Sequence, residues 1–76
     1  MITKLIWIPD NGRPETLTAD IPEGLLQQMR DLIGTAEWAS SEAVMWINCR
    51  TNDGEPMIKR LFRLARITAL DPEPTA

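Results

Sequence analysis

Two glycine-containing turns divide this sequence of 76 residues into short segments. The first is PDNG at residues 9–12, and the second is NDGEP at residues 52–56. Asn-Gly and Asp-Gly between apolar runs are strong hairpin signals, because a type I′ turn needs positive φ at both of its central positions. The sequence therefore predicts two β-hairpins.

The segments around the first turn have the composition of strands. Residues 3–8 are rich in β-branched and aromatic side chains, and residues 16–21 alternate between polar and apolar side chains. Such alternation is typical of a strand with one buried face. Pro14 cannot donate a ladder hydrogen bond, so it predicts that this second strand lies at an edge.

A helix is predicted after the first hairpin. Asp20 and Glu23 have the spacing of a capping box, and Pro22 suits the first helical turn. Gly34 predicts the end of the helix, because a C-terminal cap often needs positive φ. Five apolar residues at helical spacing predict its buried face: Leu25, Met29, Leu32, Ile33 and Ala36.

Residues 43–51 have the clearest strand pattern. Alternation of side chains predicts one face with Met45, Ile47 and Cys49, and another with Trp46, Asn48 and Arg50. Residues 57–70 fit two structures. A helix would separate apolar from basic residues, whereas the preceding Asp-Gly turn and the β-branched pair Ile67 and Thr68 favour a strand. We favour the strand.

The predicted fold class is therefore α+β. We expect a single domain over residues 1–70 with the order ββαββ, in which one helix packs on one face of an antiparallel sheet. The alternative order is ββαβα, with residues 56–70 helical. Residues 71–76 contain two prolines and are predicted to form a disordered tail.

The residue inventory argues against an enzyme. Histidine and tyrosine are absent, and Cys49 is the one cysteine. This excludes Ser-His-Asp triads, Cys-His pairs, zinc fingers and disulfide scaffolds. Cys49 is predicted to be a small buried residue, and we expect no catalytic residue, metal or cofactor. A lone thiol, with no stretch of the ~18 apolar residues that span a membrane, predicts a cytoplasmic protein that does not bind membranes.

Charge is distributed unevenly along the chain. The net charge is −3, yet residues 57–70 contain four basic and no acidic side chains. We call residues 59–66 the basic strip; its cations are Lys59, Arg60, Arg63 and Arg66. Spaced arginines can bind phosphates, but they can also neutralise an acidic domain.

The string RLFRLARI at residues 60–67 resembles the FRLDRI segment of WYL domains, which are small barrels linked to ligand or nucleic-acid sensing. The resemblance covers one strand. Ala65 stands where the family has aspartate, and the tryptophan-tyrosine-leucine signature is missing, so no family is assigned.

The predicted function is that of a non-enzymatic protein-protein interaction module. Three tryptophans in a chain this small favour it, because aromatic and arginine side chains anchor protein interfaces. Trp38 is predicted to lie in a loop or short turn after the helix. By analogy with phage and plasmid accessory proteins, we expect a small inhibitor or adaptor, with a homodimer as one option. The alternative is a nucleic-acid-binding regulator that uses the basic strip. The predicted partner-binding residues are Trp38, Trp46, Arg50, Lys59, Arg60, Arg63 and Arg66.

Overall fold

The computed structural model describes residues 1–73 and contains five strands and three helical segments. The strands are β1 (Ile2–Trp7), β2 (Glu15–Asp20), β3 (Val44–Arg50), β4 (Ile58–Arg63) and β5 (Ile67–Pro72). The α-helices are α1 (Glu23–Leu32) and α2 (Ala36–Ala39), and a 3-10 turn spans Leu64–Arg66. The strands form one antiparallel sheet in the order β4-β3-β2-β1-β5. The α+β class, the antiparallel sheet and the single main helix are confirmed.

Both predicted hairpins form, but their turns are not of type I′. Among residues 1–73, only glycines have positive φ, including Gly12 and Gly54 at +80° and +88°. The Gly12 N–H donates to the Pro9 carbonyl at 2.9 Å, and the Glu55 N–H donates to the Asn52 carbonyl at 3.3 Å. Each connection is longer than two residues, so one left-handed glycine suffices.

The position of β2 within the sheet also differs from the prediction. Pro14 precedes β2 rather than lying within it, and β2 is central, with β1 and β3 as its neighbours. The predicted edge strand is therefore wrong. A proline outside the strand removes no ladder hydrogen bond and does not restrict where β2 lies.

Residues 57–70 form two strands where the predicted order ββαββ has one, and the helical alternative is wrong. β4 pairs with β3, the chain turns through Leu64–Arg66, and β5 pairs with β1 at the opposite edge of the sheet. Phe62 and Ile67 are both buried. In one straight strand, residues five positions apart would point to opposite faces, so the turn is what allows both side chains to enter the core.

β5 continues past the predicted domain end at residue 70. It includes Asp71 and Pro72, and the Glu73 N–H donates to the Ile2 carbonyl at 3.1 Å. An edge strand tolerates Pro72 because one side of its backbone has no neighbouring strand. The rest of the predicted tail, residues 74–76, lies outside the described residues.

The helix start differs from the predicted capping box. Pro22 is the N-cap of α1, and no side chain caps the helix. Asp20 is instead the last residue of β2, and its carboxylate binds the N-terminal ammonium group of Met1 at 2.9 Å. Gly34 has φ of +92°, as the predicted helix end requires.

The buried face of α1 is narrower than predicted and includes Leu26, which the predicted face left out. Leu26 and Met29 are buried, whereas Leu25 and Leu32 are 36% and 37% exposed. Of the other predicted members of this face, Ile33 is half-buried and Ala36 is exposed in α2. Leu26 and Met29 are one helical turn apart, whereas Leu25 and Leu32 lie at the border of that stripe and remain partly in solvent.

The sheet is strongly curved around the core. Two strands lie between β1, which carries Trp7, and β4, which carries Phe62, so a flat sheet would separate these residues by at least about 14 Å. Their ring centroids are 4.8 Å apart, so β4 curls toward β1. The concave face and α1 enclose twelve buried apolar residues: Leu5, Leu17, Ala19, Ile21, Leu26, Met29, Trp38, Ile47, Cys49, Phe62, Ile67 and Leu70.

Candidate functional site

An apolar patch lies on the convex face of β3 and β4. We call it the Trp46 patch; it consists of Val44, Trp46 and Leu61. The side chains of these residues are 57%, 64% and 49% exposed, respectively. Trp46 and Leu61 are directly opposite each other in the β3–β4 register, and Val44 is two residues from Trp46 on the same face. The predicted division of β3 between a buried face and an exposed face accounts for this position.

Two cations flank the Trp46 patch. Lys59 and Arg63 each lie two residues from Leu61 in β4, so they share its convex face. Both are exposed, and no carboxylate among residues 1–73 lies within ion-pair distance of either. The site therefore has an apolar centre between two solvated positive charges.

The other two cations of the basic strip are engaged within the fold. Arg60 Nη1 lies 3.3 Å from Glu15 Oε1. The Arg60 guanidinium also lies 5.5 Å from the Trp7 ring centroid and 5.6 Å from that of Phe62, which is cation–π distance. Arg66 Nη2 is 3.8 Å from Oδ1 of Asp10, but the Asp10 side chain is fully exposed, so this pair is weak. The strip is consequently not one continuous cationic surface.

Trp38 and Arg50 lie away from the patch. Trp38 is 5% exposed, and its indole N–H donates to the Ile67 carbonyl at 2.9 Å, which ties α2 to the start of β5. Arg50 is half-buried at the end of β3, opposite Thr18, and its buried Nε has no hydrogen-bond partner among residues 1–73. Of the seven predicted partner-binding residues, the structure brings together Trp46, Lys59 and Arg63.

A groove runs beside β4 that the sequence did not indicate. Its volume is about 590 Å³, and its lining includes Trp7, Pro9, Leu61, Arg63 and Arg66. The curvature of the sheet creates it by bringing the β1–β2 turn next to β4. No local pattern could reveal it, because Pro9 and Arg63 are distant in the sequence.

Cys49 does not have the surroundings of a reactive thiol. It is fully buried, as predicted. Burial raises the pKa of the Cys49 thiol above its ordinary value of 9.0, and the nearby Arg60 guanidinium only partly offsets that increase. The thiol is therefore protonated at neutral pH, whereas a nucleophile needs the thiolate. Residues 1–73 also contain no cluster of three or more side chains suited to bind a metal ion.

Within residues 1–73, no helix combines the length and the apolar character needed to cross a bilayer. No family model, curated protein or solved structure matches the chain. The resemblance of residues 60–67 to WYL domains is thus confined to that segment, which covers the end of β4, the 3-10 turn and the first residue of β5.

Proposed function

We propose that this chain is a non-enzymatic protein-binding module that docks a partner protein on the Trp46 patch. The observation that carries the proposal is the 64% exposure of Trp46 directly opposite the half-exposed Leu61. Large apolar side chains grouped at one place on a surface are typical of interaction sites. Tryptophan is also among the residues most enriched at binding hot spots.

The surroundings of the patch resemble an interface with an apolar centre and a charged rim. Lys59 and Arg63 lie on either side of Leu61 and remain solvated, so a partner can reach them without breaking an ion pair. Two cations at the rim favour a partner that presents acidic side chains there. A small chain of this kind acts as an inhibitor or adaptor by occupying its partner's surface. The lone buried thiol suits the reducing cytoplasm.

Nucleic-acid binding receives less support from the same residues. Arg60 is engaged with Glu15, whereas Arg66 pairs only weakly with the fully exposed Asp10. This leaves Lys59, Arg63 and Arg66 as the cations of the strip that could contact phosphates. Three phosphate contacts correspond to a salt dependence with a slope of about −3 on a double logarithmic plot, which indicates weak binding.

The test is capture of a binding partner from the native host with matched variants. Trp46→Ala should reduce the affinity for a captured protein by about 30-fold or more, the cost of losing a hot spot. Leu25→Ala removes an apolar side chain that is partly exposed on α1 and should leave capture unchanged. Circular dichroism spectra of both variants should first be compared with that of the unmodified chain to verify that they fold. Capture that survives Trp46→Ala, or capture of nucleic acid alone, would show that the proposal is wrong.

A further inference from the structure

β4 is an edge strand with a free row of main-chain groups. Among residues 1–73 it pairs with β3 alone. The Leu64 N–H donates to the Ala43 carbonyl at 3.1 Å. This bond identifies which residues of β4 direct their main-chain groups toward β3. Hydrogen-bonding residues alternate along an antiparallel strand, so the even-numbered residues of β4 face β3. The N–H and C=O groups of Lys59, Leu61 and Arg63 consequently point away from the sheet.

The same three residues place their side chains on the convex face, and the groove lies beside the C-terminal half of β4. The groove is lined by Leu61 and Arg63 of β4, by Val44 of β3, and by Trp7 and Pro9 near the end of β1. An extended segment that bonds to the free edge would therefore lie between β4 and the β1–β2 turn. The side chains on one face of that segment would lie beside Leu61 and the Trp46 patch, and the alternate side chains would point to the concave face.

We propose that β4 receives an extended acidic segment of the partner as an additional strand of the sheet. This inference rests on the proposed function and adds to it the chemistry of the partner. The segment has acidic side chains opposite Lys59 and Arg63 and an apolar side chain opposite Leu61. Main-chain hydrogen bonds supply affinity in this recognition mode, and alternate side chains supply specificity.

Charge argues for a different protein rather than a second copy of this chain. If two β4 strands paired antiparallel with Leu61 at the centre, Lys59 of each copy would lie opposite Arg63 of the other. Like charges directly opposite each other destabilise a strand pair. Carboxylates at those two positions would turn both repulsive pairs into attractive ones.

The first experiment uses a synthetic peptide, TEVIVET, with both ends blocked. Its sequence reads the same in both directions, so either orientation can place glutamates near Lys59 and Arg63 and isoleucine near Leu61. We expect calorimetric binding to the full chain at low salt and at least tenfold weaker binding of the control TKVIVKT. The double variant with Lys59→Glu and Arg63→Glu should reverse this preference.

The second experiment tests the main-chain bonds. N-methylation at successive peptide positions should weaken binding at every second position only, because alternate N–H groups of an added strand face β4. In the protein, bound TEVIVET should slow hydrogen exchange of the Leu61 amide at least tenfold. The Phe62 amide, which already faces β3, should change little.

Several results would overturn strand addition. They are absence of TEVIVET binding at millimolar concentration, equal weakening at every N-methylated position, or an unprotected Leu61 amide in the complex. Protection of Leu61 that depends on protein concentration without peptide would show that a second copy occupies the edge. If partner capture still depends on Trp46 in any of these cases, the proposed function stands and only strand addition fails.

Discussion

Replacement of Arg60 should destabilise the fold, whereas replacement of Arg63 should not. The two arginines lie three residues apart in the same strand, yet their surroundings differ. Arg60 points to the concave side, where its guanidinium contacts Glu15 and lies near the rings of Trp7 and Phe62. Arg63 is exposed on the convex side. This pair of variants therefore tests whether the basic strip is one functional surface.

The magnitude follows from the contacts that each variant removes. The Arg60–Glu15 pair is about one-third exposed on both sides and is worth about 0.2–1 kcal/mol. Cation–π contact adds about 0.5–1 kcal/mol, and the aliphatic stem adds some packing. Arg60→Ala should therefore cost about 1–2 kcal/mol. Arg63→Ala should change the free energy of unfolding by no more than about 0.5 kcal/mol.

Urea denaturation followed by circular dichroism measures both values. For a domain of this size, 1 kcal/mol corresponds to a shift in Tm of about 4–8 °C, so thermal melting provides a second measurement. A double-mutant cycle of Arg60→Ala with Glu15→Gln isolates the energy of the ion pair. Repeating the cycle in high salt should lower that energy, because salt screens partly exposed charges. Equal effects of Arg60→Ala and Arg63→Ala would refute the assignment of Arg60 to a structural role.

Three further predictions concern other parts of the molecule. Trp38→Phe removes the buried hydrogen bond to Ile67 and should cost about 1–3 kcal/mol in urea denaturation; a loss below 0.5 kcal/mol would contradict this. Because burial raises the pKa of Cys49, stability should fall as pH rises above the ordinary thiol value of 9.0, and Cys49→Ala should remove that part of the pH dependence. Lys59→Glu should promote dimers in sedimentation experiments by placing a carboxylate opposite Arg63 of a second copy, and an unchanged monomer would count against this pairing geometry.

Alternation along β3 could be predicted from the sequence because the strand is regular over all seven residues. The same rule failed in residues 57–70, where the 3-10 turn at Leu64–Arg66 shifts the phase between Phe62 and Ile67. The strand that pairs with the chain after such a turn is set by the arrangement of all the strands in the sheet. A pattern within one segment therefore could not reveal β5 as a separate strand at the far edge.

The candidate site was predictable to the extent that it depends on alternation. Trp46 falls on the exposed face of β3 by this rule, and the structure places it there. Trp38 looked similar in the sequence, but it is buried where α2 packs on the 3-10 turn, and its indole N–H donates to the carbonyl of Ile67, 29 residues away. Local patterns indicate which face of an element a side chain occupies. They do not indicate which other element covers that face.

Alternation places the cations of β4 on two different faces, and it also explains why only certain strands could pair with the free edge of β4. Phe62 must point inward to fill the core, so Arg60, two residues away, points inward as well and needs Glu15 as its partner. Inward charges and edge lysines are devices that prevent edge strands from pairing indiscriminately. Lys59 and Arg63 add a barrier to pairing between copies of this chain. A segment with acidic side chains at those positions meets attraction instead, so the same charges that protect the edge select the strand that can join it.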